Sequence, residues 1–159
     1  MQQKNITISY KEFTEEEITQ FDDATQTLIA ATTNNLKNAY APYSKFKVSA
    51  GVLMENGQQI LGTNQENAAY PSGTCAERVA VFYAHASFPN EIIKQIVIVT
   101  EKGNEIPLSP CGSCRQALIE FEKQQQHPIK VILKSDKSPY WQFSSMADLL
   151  PLAFDASQL

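Results

Sequence analysis

Several things are scarce in this chain, and each scarcity excludes something. Its 159 residues include three cysteines, two histidines, one tryptophan and six glycines. Three thiols are an odd number, so no disulfide scheme pairs them all. Lys and Arg number 13 against 17 Asp and Glu, a formal net charge of −4. That balance lacks the basic stripe needed for sequence-independent phosphate binding, which argues against nucleic acid as a partner. No stretch approaches the roughly 18 consecutive apolar residues of a membrane span. Residues 1–10 are polar and lack the apolar run of a signal peptide. The expectation is a soluble cytoplasmic protein with no membrane contact, in a compartment that keeps thiols reduced. What is present is ordinary: 43% hydrophobic against 19% charged residues, enough for one globular domain over residues 1–159.

Thr14-Glu15-Glu16-Glu17 reads as a helix start, with Thr14 as N-cap and Glu17 closing a capping box. Ile18, Phe21, Ala24, Leu28 and Ala31 then recur at helical spacing, predicting one helix toward Asn38 that ends before Ala41-Pro42. Phe46, Val48, Ala50 and Val52 alternate with polar or small residues, which predicts a strand. Glu55-Asn56-Gly57 supplies its turn, and Ile60-Leu61 starts the return. A helix is expected from Thr74 or Cys75 to about Ala86, and a buried strand over 92–99. A short helix follows with Pro110 in its first position, and its connection to the next strand holds the Gln124–Gln126 run. Strands over 129–133 and 140–143 and a helical turn over 146–150 complete the pattern. Strands interleaved with helices argue for an α/β fold, a mixed sheet with helices on its faces.

All three cysteines fall in two short motifs. Cys111-Gly112-Ser113-Cys114 at a helix start puts two thiols on one side of the first turn, within reach of a single ion. Thr74-Cys75-Ala76-Glu77-Arg78 opens a second helix, and helix N-termini favour thiolate. An isolated cytosolic cysteine is more often a small buried hydrophobe, and a lone C-x-x-C also has a redox reading. His85 lies ten residues beyond Cys75, about 15 Å of helix rise, and cannot share its ion. His127 is expected in a loop. Three ligands then leave a fourth position for water, the mark of a catalytic Zn²⁺. Glu77 has a rival role, because Thr74-x-x-Glu77 is also a capping-box pattern. Positions i and i+2 do not share a helix face, so Cys75 and Glu77 serve one ion only if it sits off the helix end.

Thr74-Cys75-Ala76-Glu77-Arg78 with Pro110-Cys111-Gly112-Ser113-Cys114-Arg115-Gln116 resembles the small homotetrameric cytidine deaminases that hold zinc with three cysteines. The resemblance also takes in Ala41-Pro42-Tyr43-Ser44-Lys45-Phe46 and Asn64-Gln65-Glu66-Asn67-Ala68-Ala69-Tyr70, spanning about 36–154; residues 1–13 lie outside it. It implies a three-layer α/β/α sandwich with a mixed sheet of about five strands. It also implies hydrolytic deamination of cytidine and 2′-deoxycytidine to the uridines and ammonia in pyrimidine salvage. Hydroxide held by zinc at Cys75, Cys111 and Cys114 would attack C4, and Glu77 would shuttle the protons.

Zinc with three thiolates is formally −1, so something must draw charge from the sulfurs. Arg78 is the candidate, against the plainer reading of a solvated side chain. By the same resemblance Asn64 and Glu66 hold the ribose, Phe46 lines the pyrimidine pocket and the Ala76 backbone binds the base edge. Tyr70 and Phe154 would complete a neighbouring subunit's site in a homotetramer. Taken alone, Phe46 begins a core stripe, Asn64 and Glu66 are loop polars, and Phe154 packs under a C-terminal turn. Ser49 and Ala69 stand where relatives commonly carry glycine and serine or cysteine, which puts close backbone packing near Ser49 in question. Open alternatives are a deaminase of another aminopyrimidine compound, a zinc-stabilised binding module with a closed four-ligand site, and a thiol redox protein.

Overall fold

The computed structural model describes residues 1–103 and 105–159. Six strands form one sheet: β1 (Lys11–Phe13), β2 (Val48–Met54), β3 (Gln59–Thr63), β4 (Ile93–Thr100), β5 (Lys130–Ser135) and β6 (Tyr140–Phe143). Their order is β1-β6-β5-β4-β2-β3. The β4–β5 pair is parallel and the other pairs are antiparallel. Helix α1 (Asp23–Asn35) covers one face, while α2 (Ala76–Ser87) and α3 (Gly112–Gln125) cover the other. The expected three-layer sandwich is present, with one strand more than expected.

Side chains alternate between the two faces along each strand. Ala50, Val52 and Met54 of β2, Ile96 and Ile98 of β4, and Val131 and Leu133 of β5 join Ala80, Val81 and Leu118 in a core under α2 and α3. Leu53, Val97, Val99 and Ile132 point the other way and meet Leu28 and Ile29 of α1. The β4–α3–β5 crossover links the parallel pair. It therefore delivers the start of α3 to the carboxyl end of β4, where the loops gather.

Several expectations need correction. The helix read from Thr14 toward Asn38 is three elements, the last a short 3-10 turn over Leu36–Asn38. The Thr14–Glu17 capping box is present, but it opens a 3-10 helix over Glu15–Gln20. The chain then turns extended at Phe21 and Asp22, and Asp22 caps α1 by accepting from the Thr25 N–H at 2.7 Å. A second cap at Asp22, eight residues after the first at Thr14, wins over apolar periodicity. Strand β2 starts at Val48, so Phe46 lies outside it, half-buried and apart from both core clusters. Pro110 precedes the α3 N-cap, Cys111, and α3 is 14 residues long, ending where Gln126 turns left-handed at φ 52°.

The extra strand is β1, from the segment to which the sequence assigned nothing. It adds to the β6 edge, with Glu12 opposite Trp141. The indole Nε1–H donates to Glu12 Oε2 at 2.8 Å, and the Tyr10 ring lies 4.4 Å from that of Trp141. Ser49 proves compatible with tight packing. Fully buried, it donates to the Gly62 carbonyl at 3.3 Å and accepts from Asn35 Nδ2 at 3.2 Å.

Candidate metal centre and active site

Cys75 and Cys111 are both N-caps, in extended conformation at φ/ψ −72°/153° and −66°/166°. Neither side chain makes a capping hydrogen bond. Cysteine is a poor choice for a position that prefers Ser, Thr, Asp or Asn, and this mismatch of local preference points to another task. Cys114 is the third residue of α3 and fully buried. The three sulfurs lie within 4.8 Å of one another, from residues 75 and 111–114 that the fold brings together. Tetrahedral zinc thiolates need sulfurs about 3.8 Å apart, from Zn–S bonds of about 2.3 Å. The donor set fits zinc with one position to spare. Among the described residues the cluster holds no fourth ligand. His85 packs its ring 5.0 Å from that of Phe121, and His127 is exposed with Nδ1 at 3.2 Å from the Pro128 carbonyl.

What places these caps is backbone packing. A Cβ on Gly62 of β3 would fall 2.6 Å from Ala80 N and 2.8 Å from Ala76 O, so only glycine lets the first turns of α2 sit this close. Just before Cys75, Thr74 and Gln65 exchange two backbone hydrogen bonds of 2.8 and 2.9 Å. The Thr74 N–H is thus already committed, and Cys75 rather than Thr74 is the N-cap. The capping-box alternative for Glu77 fails on both counts. At α3, Arg115 Nε donates to the Pro110 carbonyl at 2.7 Å and Nη1 to that of Leu149 at 3.1 Å. Gln116 Nε2 donates to the Phe154 carbonyl at 2.8 Å, tying the C-terminal segment to the same helix turn. The sequence reading quoted Arg115 and Gln116 in the motif without giving them work. Partners 34 and 38 residues away leave no local signal.

Charge at the cluster is shared. A hydrogen bond from the Cys114 thiol, joined by the Arg78 guanidinium, lowers the Cys75 pKa to about 5. The same Cys75 contact, with burial, pushes Cys114 up. Thiols this close favour loss of their protons to a bound cation, since metal ligation takes the thiolate. Arg78 Nη2 reaches Cys75 Sγ at 3.9 Å. Its Nε is buried without a hydrogen-bond partner among the described residues. Glu77 is 5% exposed, and burial first, then the Cys75 charge, pushes its carboxyl above the ordinary range. Cap and second helix residue both belong to the first turn, so an ion beyond the helix end can meet Cys75 with Glu77 alongside.

Beside Cys75 and Arg78 opens a cavity of about 380 Å³, lined also by Asn64, Glu66, Tyr70 and Tyr43. Asn64 and Glu66 both line it, but so does Gln65 between them, so the lining does not reduce to the alternation expected of an extended segment. Phe46, Ala76, Glu77 and Phe154 do not line it. Ala76 is fully buried at the start of α2. Tyr70 and Phe154 are 91% and 58% exposed.

Two helix starts carrying three thiols and an acid, on the face of a mixed sheet, define a zinc-dependent deaminase, and comparison supplies the kind. The family model described as the cytidine and deoxycytidylate deaminase zinc-binding region matches residues 22–127. The chain is 35% identical to a cytidine deaminase of Halalkalibacterium halodurans over 84% of its own length and 96% of the relative's. It is 39% identical to that of Sporosarcina psychrophila, over 83% and 92%. The crystal structure of cytidine deaminase from Burkholderia pseudomallei superposes with a TM-score of 0.71 at 38% identity, covering 80% of this chain and 97% of that one. The chain belongs to the cytidine and deoxycytidylate deaminase family.

Proposed function

We propose that this protein hydrolyses cytidine and 2′-deoxycytidine to the corresponding uridines and ammonia, a reaction of pyrimidine salvage in the cytoplasm. The observation that carries the reading is the set of three sulfurs within 4.8 Å beside a buried glutamate. Bound at Cys75, Cys111 and Cys114, zinc supplies the Lewis acidity that makes water acidic near neutral pH. Glu77 then does the proton work of the chain itself. It takes a proton from the water whose oxygen adds to C4 and passes it to N3. The proton left on that oxygen then goes, again by way of Glu77, to the exocyclic nitrogen; the C4–N4 bond breaks as C4=O forms, and ammonia leaves.

Around this centre Asn64 and Glu66 bind the sugar hydroxyls, Phe46 flanks the pyrimidine and the Ala76 backbone meets the base edge. The exposed rings of Tyr70 and Phe154 serve the site of a neighbouring subunit in a homotetramer. Three thiols without a fourth ligand among the described residues speak against a closed structural zinc site. The decisive assay takes purified protein with its zinc quantified and follows pyrimidine absorbance and ammonia release with cytidine. Glu77→Gln is expected to keep zinc and lose at least about 10²-fold in kcat. Turnover like that of the wild type would refute the role of Glu77.

A further inference from the structure

Of the two backbone polar groups of Phe46, the carbonyl is held directly by a residue that the proposed nucleoside reading assigns to the sugar, and the N–H is held through Ser44 by another. The Phe46 carbonyl accepts from Asn64 Nδ2 at 2.9 Å. Its N–H donates to Ser44 Oγ at 3.0 Å, and that hydroxyl donates to Glu66 Oε1. Glu66 Oε2 accepts from the N–H groups of Tyr43 at 2.9 Å and Ser44 at 3.2 Å. Asn64 Oδ1 accepts from the Val48 N–H at 2.9 Å.

The segment from Tyr43 to Phe46 belongs to no helix or strand, and it includes Lys45 at φ 54°, in the left-handed region that L side chains rarely adopt. A backbone stretch without a ladder takes the shape its side-chain partners impose. Here those partners are Glu66 and Asn64, 22 and 18 residues away from the groups they hold.

The hydrogen-bonding capacity is not used up. A carboxylate offers about four lone-pair sites, of which the segment takes three. The Asn64 amide keeps one N–H and one lone pair. Each residue can therefore engage a sugar hydroxyl without releasing Phe46.

We propose that Glu66 and Asn64 are positioning residues for Phe46 as well as sugar ligands, so that sugar and base recognition form one coupled device. The inference rests on the nucleoside reading and deepens it. A residue that bound sugar alone would matter only to substrates with hydroxyls for it to bind. A residue that also sets Phe46, which the nucleoside reading places against the base, matters to every cytosine nucleoside, with vicinal hydroxyls or without.

The test uses zinc-loaded full-length protein with cytidine and with 2′,3′-dideoxycytidine, which lacks both vicinal hydroxyls. The latter is followed as a substrate or, where turnover is slow, as a competitive inhibitor of cytidine deamination. Glu66→Gln and Ser44→Ala are compared with wild type, with zinc content and unfolding midpoint recorded for each. Ser44 has no assigned sugar contact, so its variant isolates the positioning chain.

Glu66→Gln is expected to weaken dideoxycytidine recognition about tenfold, as loss of one charge-assisted contact would, and cytidine by more. Ser44→Ala is expected to weaken both by a similar factor, leaving their ratio unchanged. A dideoxycytidine constant unmoved in both variants overturns the proposal and confines Glu66 to the sugar. Failure of the wild type to deaminate cytidine overturns the nucleoside reading, and this inference with it.

Discussion

Arg78 holds the most exacting position of any single residue. Its guanidinium reaches toward Cys75 Sγ, and its Nε is buried without a partner among the described residues. Three thiolates around zinc leave a formal −1, and a donor against sulfur draws off the charge that would blunt the metal's acidity. Arg78→Gln is expected to retain zinc while kcat falls about 10–100-fold, the usual loss when a group supporting a metal ligand is removed. Metal analysis with steady-state kinetics reads both, and an unchanged kcat removes Arg78 from the mechanism. The three-thiol cluster was legible in the sequence because thiols are scarce there and their spacing is chemistry. The supports of the substrate segment were not. Nothing local pairs Glu66 with Ser44, 22 residues earlier, or Arg115 with the Leu149 carbonyl.

Among elements, the start of α1 shows how close the sequence came. Periodicity ran through Phe21, but Asp22 followed by Thr25 was a second start signal in plain view. The Asp22 carboxyl is held below its ordinary range by the hydroxyl and N–H of Thr25. Its folded pKa is lower than its unfolded one, so its contribution is complete above the unfolded value and lost as pH falls through the folded value. Asp22→Ala is expected to cost about 1 kcal/mol near neutrality. The difference from wild type should shrink below about pH 3.9, read as denaturant midpoints against pH. Asp22→Asn should keep most of the cap without that pH dependence. At α2 the decisive contact is Gly62, invisible to any pattern because it depends on how near a helix passes. Gly62→Ala is expected to cost about 1–3 kcal/mol by overpacking and, unlike a remote core change, to weaken zinc affinity. Its Cβ would press on the turns that carry Cys75.

For the molecule as a whole, class and layering were readable from the alternation of strands and helices. The sixth strand was not, because β1 is three residues of mixed polarity whose place depends on Trp141 and Tyr140 far along the chain. Exposed rings at Tyr70 and Phe154 are expected to be covered by other copies. Sedimentation should then give a tetramer, and Tyr70→Ala should raise KM for cytidine with zinc content unchanged. A monomer of full activity would contradict that. A last consequence follows from where the sulfurs sit. Cys111 is exposed at its cap, whereas Cys114 is sealed inside the first turn of α3. An ion seated there would be expected to have an asymmetric exit, the exposed sulfur giving way before the buried one in the first turn of α3. Escape of such an ion is then expected to follow the fraying of a few backbone hydrogen bonds rather than the width of the nearby opening.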